Sequence, residues 1–136
     1  MQLTKNGGVR GDWSPVDNRL VHSVQMYPGG PPRKPSLEVV DFDGNVLLSV
    51  EWPDAGKTLP VWSPGGQRFT AIKTESPDND SVWIIDAATG DGKPAVKFPG
   101  RFHLTFRALW APDGKSVIVD RLERTSHVVL LENFWP

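Results

Sequence analysis

The residues of this sequence whose chemistry could support catalysis are its three histidines, His22, His103 and His127. None has the spacing of a paired metal-binding motif, and none lies beside a Gly-x-Ser-x-Gly nucleophile turn. His103, in "GRFHLTFR", has two cationic neighbours, Arg101 and Arg107, and could act as an acid or a base. The alternative is a structural histidine, which is the ordinary role of this residue in a strand or at a half-exposed position. We therefore predict no catalytic residue, no metal site and no cofactor.

Two arginines share an offset that could place them in one binding site. Arg10 and Arg107 each lie three residues before a tryptophan, and the corresponding residue of the middle tryptophan is Leu59. Guanidinium groups recognise carboxylates and other anions with paired hydrogen bonds. Together with His103 they form a candidate site for an acidic peptide or a small anion. The alternative is that the arginines face solvent or pair with nearby acids, namely Asp12, Glu51 or Asp54.

Two loops carry residues that could bind a partner or a metal. "PGGPPRKP" (28–35) is too long and proline-rich for a tight hairpin, and is either a partner-binding edge with polyproline II character or a mobile insertion. "SPDND" (76–80) has Asp78 and Asp80 at a spacing seen in calcium loops. It lacks the other ligands and the required glycine, which favours a solvated loop.

Composition excludes several classes of protein. The chain has 136 residues, with 15 Lys and Arg against 16 Asp and Glu and no cysteine. A net charge of −1 and the lack of a basic stripe with aromatics argue against nucleic-acid or membrane partners. The absence of cysteine excludes disulfides and thiolate metal sites. "MQLTKNGGVRGDW" has no apolar signal region, so we expect a cytoplasmic protein, with a processed fragment as the alternative.

Short strands separated by turn formers make up most of the chain, which predicts an all-β domain. The 13 glycines and 13 prolines fall between apolar runs, and no window shows a sustained helical period. The predicted strands are "RLVHSVQMY" (19–27), "SLEVVDF" (36–42), "VLLSVEW" (46–52), "RFTAIKT" (68–74), "SVWIID" (81–86), "AVKFPG" (95–100), "SVIVDRL" (116–122) and "HVVLLEN" (127–133).

One phrase recurs three times, as "DWSPVDNRL", "VWSPGGQRF" and "LWAPDGKSV". Its tryptophans, Trp13, Trp62 and Trp110, are 49 and 48 residues apart, and a second set of landmarks, the acids Asp41, Asp86 and Glu132, follows at 45 and 46. Each unit therefore contains an apolar strand ending in Trp, a proline turn and further strands. Four antiparallel strands in such a period are typical of one propeller blade.

The phrase has a physical explanation in such a blade. Proline presets φ in the turn, and Gly66 and Gly114 can adopt the positive φ that follows. The first unit has Asp17 there, so we expect its turn to differ. Trp13, Trp62 and Trp110 should pack between adjacent blades, with each indole N–H needing a partner. The alternative is that they are core residues of a β-sandwich.

The repeat resembles that of TolB-like β-propellers, relatives of the WD-repeat family, over nearly the whole chain. The residues that carry the resemblance are "WSPVDNRL", "WSPGGQRF" and "WAPDGKSV", each followed by a strand ending in "VVD", "IID" or "LLE". The usual Asp-Gly after the proline is complete only at Asp113 and Gly114. The resemblance implies six blades per ring, a mostly non-enzymatic role, and protein or peptide binding at one face or in the channel.

Three blades form only half of such a ring. The predicted repeats are 7–55, 56–104 and 105–136, within one domain of residues 1–136. A three-bladed arc would expose an apolar face at each end. We therefore expect two copies to close head-to-tail into a six-bladed ring with two-fold symmetry, residues 1–6 completing the last blade of the partner. The residues expected at this closure are Gln2, Leu3, Thr4, Val128, Val129, Leu130 and Leu131. A piece of a longer propeller and a different copy number are the alternatives.

Two classes of function remain open from the sequence. The first is a non-catalytic scaffold that self-assembles and binds a protein, a peptide or a small anion. The second is a propeller-type lyase or hydrolase with a site at the channel mouth, for which His103 is the candidate residue. The lack of a nucleophile, metal or acid/base spacing favours the first. A fragment whose only activity is self-assembly fits the same features.

Overall fold

The computed structural model of the chain describes residues 10–25, 29–30, 32–96, 98, 101–121 and 127–132. In these ranges the chain is all-β, with eleven strands and one short 3₁₀ helix, Ala55–Lys57. The strands form three antiparallel sheets in sequence order, each a meander in which consecutive strands pair.

The first two sheets have four strands each. The first contains β1 (Gly11–Trp13), β2 (Leu20–Val24), β3 (Ser36–Val40) and β4 (Val46–Glu51). The second contains β5 (Val61–Trp62), β6 (Arg68–Ser76), β7 (Asn79–Asp86) and β8 (Gly92–Val96). The expectation of four-stranded units holds for both.

The third sheet has three strands in the described residues: β9 (Leu104–Trp110), β10 (Ser116–Arg121) and β11 (His127–Glu132). The third unit thus has one strand fewer than the other two in the described residues, and the fourth strand expected for it is residues 1–6 of a partner. No described strand pairs with the outer side of β11, so β11 is an edge strand among the described residues. Such an edge is a template for pairing with another strand.

The sequence repeat is also a repeat in strand register. Trp13 lies opposite Leu20, Trp62 opposite Phe69, and Trp110 opposite Val117. Paired residues of antiparallel strands point to the same face of a sheet. Each tryptophan therefore occupies the same position and the same face of its sheet.

The proline turns of the second and third units are alike. Gly66 and Gly114 have φ of 68° and 71°, and each donates its N–H to a carbonyl three residues earlier, at 2.9 Å in both cases. Only glycine adopts such a φ without strain. The first unit differs, since Val16 N–H instead bonds the Ser14 hydroxyl at 3.3 Å and Asp17 forms an ion pair with Arg19 at 2.8 Å.

Two of the three acids that recur in the sequence, Asp86 and Asp41, stabilise the turn between the third and fourth strands of their sheets. The Asp86 carboxylate accepts the N–H groups of Ala88 and Thr89 at 2.8 and 3.0 Å. Asp41 accepts those of Asp43 and Asn45, both at 2.9 Å. These hydrogen bonds, from Thr89 and then from Ala88, hold the pKa of Asp86 below its usual range, and they outweigh its slight burial.

Two hydrophobic cores lie between the sheets, and the second sheet contributes to both. The core between the first and second sheets includes Val21, Leu37 and Val39 on one side and Phe69 and Ile85 on the other. Between the second and third sheets the members include Ile72, Val82, Ile84, Val117, Val119 and Leu131. The second sheet is apolar on both faces because it has a neighbour on each side.

Asp86→Ala should lower the free energy of unfolding by about 1–2 kcal/mol, since two turn N–H groups lose a charged acceptor. Its contribution is present above the unfolded pKa of an aspartate and is lost as the pH falls through the lowered folded value. Urea unfolding at pH 7 and at pH 3 would measure it. Asp91→Ala, in the same hairpin, is the matched control and should stay within about 0.5 kcal/mol of the wild type. Equal losses in the two variants would contradict the assignment.

Candidate functional site

Trp62 joins the second sheet to the first. Its side chain is 4% exposed, and its indole N–H donates to the backbone carbonyl of Asp12 at 2.9 Å. The Asp12 carboxylate accepts the Trp62 backbone N–H at 2.8 Å. The Arg19 guanidinium lies over the indole ring, 4.6 Å from its centre, and donates to the Gly66 carbonyl at 2.5 Å.

Trp110 makes the same contact between the third sheet and the second. Its indole N–H donates to the Val61 carbonyl at 3.1 Å, and the Arg68 guanidinium lies 5.5 Å from the ring centre. In both contacts the acceptor carbonyl belongs to the residue directly before the tryptophan of the preceding sheet. The contact between adjacent sheets is therefore repeated, together with its arginine.

Trp13 has no preceding sheet among the described residues, and its side chain is 48% exposed. It belongs to the leading face of the first sheet, defined by Trp13, Leu20, Val40 and Val46. At the other end of the arc, Leu109, Ile118 and Leu130 define the trailing face of the third sheet. Leu109 and Leu130 are 39% and 52% exposed. Trp62 and Trp110 thus lie between sheets as expected, whereas Trp13 is uncovered within one chain.

The residues expected at the ring closure fall into two groups, one outside the described residues and one in β11. Gln2, Leu3 and Thr4 lie outside the described residues. Val128 and Val129 are in the edge strand β11, and Leu130 of the same strand belongs to the trailing face. Leu131 is also in β11, and its side chain is buried in the core against the second sheet, so it could contribute to the expected strand pairing only through its backbone.

The three residues of the candidate anion site lie near the first strands of the first and third sheets. Arg10 donates to the Gly56 carbonyl at 2.6 Å, beside the 3₁₀ helix, and Arg107 is exposed on β9. His103 is half-exposed, with its Nδ1 3.7 Å from an Asp80 carboxylate oxygen. Of the acids named as alternative partners, Asp12 accepts the Trp62 N–H and Asp54 accepts the Thr74 N–H, both at 2.8 Å, and Glu51 lies 3.7 Å from Lys34 Nζ.

Asp80 has a structural role that the sequence did not reveal. It is buried and accepts the Leu104 N–H at 2.9 Å and the Thr74 hydroxyl at 3.2 Å, so it connects the second sheet to the start of β9. Lys57 Nζ lies 3.9 Å away. Asp78 forms an exposed ion pair with Arg101 at 3.2 Å. Among the described residues, no cluster of three or more His, Asp or Glu could hold a metal ion.

A buried polar pair lies on the same side of the first sheet as Trp13. His22 and Glu38 are 2% and 6% exposed, with His22 Nε2 3.4 Å from a Glu38 carboxylate oxygen. Burial lowers the pKa of His22 below its usual value, and the negative charge of Glu38 opposes this in part. A pocket of about 480 Å³ adjoins the pair, lined by Val24, Arg33, Lys34, Ser36, Glu38, Ser49 and Glu51.

No helix in the described part of the chain is long and apolar enough to cross a membrane.

Known proteins share this fold. The chain superimposes on TolB from Acinetobacter baumannii with a TM-score of 0.67 at 15% identity, covering 94% of this chain and 30% of TolB. With a putative TolB from Agrobacterium tumefaciens the TM-score is 0.69 at 14% identity, covering 97% of this chain and 48% of that protein. The prediction of a TolB-like β-propeller repeat fold is confirmed, and each sheet corresponds to a blade.

Two peptidases are also similar to parts of the chain. An uncharacterized peptidase, YuxL of Bacillus subtilis (strain 168), is 30% identical over 73 residues, which are 52% of this chain and 11% of YuxL. Acylaminoacyl peptidase of Pyrococcus horikoshii gives a TM-score of 0.56 at 14% identity over 79% of this chain and 16% of that one. No protein-family model matches the sequence. The chain thus spans less than half of each of these four proteins.

Stability should fall as the pH drops from 7 to 5, because His22 resists protonation in the folded state but not in the unfolded state. A histidine whose folded pKa lies below its unfolded pKa of about 6.5 favours unfolding once the pH falls through that value, by about 1.4 kcal/mol per unit of difference. Urea unfolding across this range would measure the slope. His22→Gln should flatten it, and a slope that survives this substitution would contradict the assignment to His22.

Proposed function

We propose that this chain is half of a six-bladed β-propeller, and that two copies close head-to-tail into a ring that serves as a non-catalytic binding scaffold. The fold supports the first part of this proposal, that the chain is part of a propeller, since a TolB-like propeller is built from such sheets. A ring of two copies would have two-fold symmetry, with the leading face of each copy against the trailing face of the other.

The observation that carries this proposal is the contrast between Trp13 and Trp62. The two residues occupy equivalent positions, yet one is 48% and the other 4% exposed. Burying a tryptophan and the apolar residues around it stabilises an assembly at roughly 25 cal/mol per Å². The exposed Leu109 and Leu130 on the trailing face supply apolar surface of the same kind for a partner to cover.

Backbone pairing would add to this apolar contact. The outer side of β11 has no described partner, and residues 127–132 of one copy could pair with Gln2, Leu3 and Thr4 of the other. Strand addition of this kind satisfies the exposed N–H and carbonyl groups of an edge. Two such closures per ring should bury roughly 2,000–5,000 Å² in total, as obligate dimers do.

The ligand of the scaffold is proposed to be a protein, an acidic peptide or a small anion near the innermost strands. Arg10 lies beside β1 and Arg107 is exposed on β9, which are the first strands of their sheets. A two-fold ring would contain four such arginines. Guanidinium groups bind carboxylates well because their planar donors match the two oxygens.

A hydrolase is the second candidate, because of the similarity to YuxL, which is named a peptidase. His103 and Asp80 would be the acid/base residues, at 3.7 Å. Asp80 is already bonded to Leu104 N–H and the Thr74 hydroxyl. None of the hydrogen bonds among the described residues joins His103 to a hydroxyl group, as activation of a nucleophile requires. The scaffold is therefore preferred.

Light scattering on a sizing column, over a hundredfold dilution series, should give the mass of two chains at every concentration. The reason is that each closure buries the leading face of one copy against the trailing face of the other, which should keep the dimer intact on dilution. A mass of one chain throughout would contradict the ring, and a mass of three or more would contradict its two-fold closure.

Arg107→Ala should weaken the binding of a hexaglutamate peptide by about tenfold, since a charged hydrogen-bond donor is lost. Fluorescence anisotropy with a labelled peptide at low salt would measure the dissociation constant. Arg101→Ala is the matched control, because Arg101 is exposed and pairs with Asp78. Equal affinities of Arg107→Ala and the wild type would contradict the anion site.

A further inference from the structure

We infer that the ring closes through the indole N–H of Trp13 in one copy and the backbone carbonyl of Leu109 in the other. This inference rests on the proposed ring. It specifies which residues of the leading and trailing faces meet, and it identifies the closure as the weakest contact of the assembly.

The two contacts within the chain define the geometry of the third. Trp62 donates to the carbonyl of Asp12, and Trp110 donates to that of Val61. Asp12 and Val61 each directly precede the tryptophan of the sheet before. The equivalent residue of the third sheet is Leu109, directly before Trp110. Propagating the same contact by one sheet therefore brings the indole of Trp13 to the Leu109 carbonyl.

Strand register supports the equivalence of these carbonyls. Asp12 lies opposite Val21, Val61 opposite Thr70, and Leu109 opposite Ile118. Each acceptor thus occupies the same place in the ladder between the first and second strands of its sheet. A carbonyl oxygen has two lone pairs, so a ladder bond leaves it able to accept an indole N–H as well.

Both sides of the proposed contact are accessible. Trp13 and Leu109 are 48% and 39% exposed, and no hydrogen bond of the Trp13 indole is made within the described residues. Because the same chain carries the donor on its leading face and the acceptor on its trailing face, a second copy meets both requirements at once. A second copy is therefore the occupant of the exposed part of this face around Trp13 and Val46, whereas Val40 on the same face is already buried within the chain.

The closure differs from the internal contacts in lacking an arginine. Arg19 covers Trp62, and Arg68 covers Trp110. Each arginine lies six residues after the tryptophan of its own sheet, and the same offset from Trp110 gives Ser116. Ser116 of one copy would thus face Trp13 of the other, and a serine has no positive charge to place over the indole. An acid equivalent to Asp12 is present only in the contact between the first and second sheets, since the position is Val61 in the second sheet and Leu109 in the third.

A ring built in this way has four strong joints and two weaker ones, so it should separate into two intact arcs. The interaction of a guanidinium with an indole face changes an equilibrium by about fivefold at a partly exposed site. A ring has two closures, so two such interactions would change the equilibrium between the ring and its separate arcs by about twenty-fivefold.

The test is the rate at which copies exchange between rings. The chain has no cysteine, so Asp43→Cys, at an exposed turn, gives one site for a donor or an acceptor dye. Energy transfer then reports mixing of two labelled populations, even for a tight dimer. Ser116→Arg should slow the exchange about twenty-fivefold, because differences between related complexes appear mainly in dissociation. Ser116→Gln is the matched control, with a longer side chain but no charge, and should exchange at nearly the wild-type rate.

Trp13 variants complete a double-mutant cycle. Trp13→Phe keeps an aromatic ring but has no N–H, and should exchange at least about fivefold faster than the wild type. In a Trp13→Ala background, Ser116→Arg should no longer slow the exchange, since its partner is absent. Thermal unfolding would check that each variant folds, and Trp13→Leu, which has neither an aromatic ring nor an N–H, replaces Trp13→Ala in the cycle if that variant does not fold.

The outcomes separate the two proposals. A dimer that exchanges equally fast with Ser116→Arg and Ser116→Gln overturns the closing contact and leaves the ring intact. The closing contact is also overturned if Ser116→Arg slows the exchange equally in the Trp13→Ala background. A chain that has the mass of a monomer at every concentration overturns the proposed ring itself, and the closing contact with it.

Discussion

The structure depends on one constraint, which is that a sheet with two apolar faces needs a neighbour on each side. The second sheet meets this requirement within the chain, through Phe69 and Ile85 on one face and Ile72 and Ile84 on the other. The outward faces of the first and third sheets meet it only in part, since Val40 and His22 are buried on the face that also carries the exposed Trp13. The exposure of Trp13, Leu109 and Leu130 is the direct result.

Much of the fold was predictable because it depends on local patterns that recur. Two sets of landmark residues recur with nearly the same period: the tryptophans occupy one register in their sheets, and the acids Asp41 and Asp86 stabilise equivalent turns. Positive φ at Gly66 and Gly114 followed from the turn chemistry. Strand limits were less accurate, as for β2, which ends at Val24 although its apolar pattern continues to Tyr27.

Apart from the tryptophan contacts between sheets, several long-range contacts were not predictable from the sequence. The acids of "SPDND" suggested a calcium loop or a solvated loop, whereas Asp80 is buried and binds Leu104, 24 residues away. Trp52 ended a predicted strand, but its indole donates to the Ile72 carbonyl at 2.9 Å. His22 and Glu38 are 16 residues apart and meet only because β2 and β3 pair. The local spacing of residues does not indicate which distant residues will come into contact.

The repeated contact between adjacent sheets also has a consequence for the order in which the chain opens. Because the sheets follow one another in sequence and pack on their neighbours, the arc behaves as a short linear array, in which stability is a sum over units and their junctions. The middle unit has two junctions and the outer units have one each. Amide protons of β6 and β7 should therefore exchange with solvent most slowly, and fraying should begin at the ends.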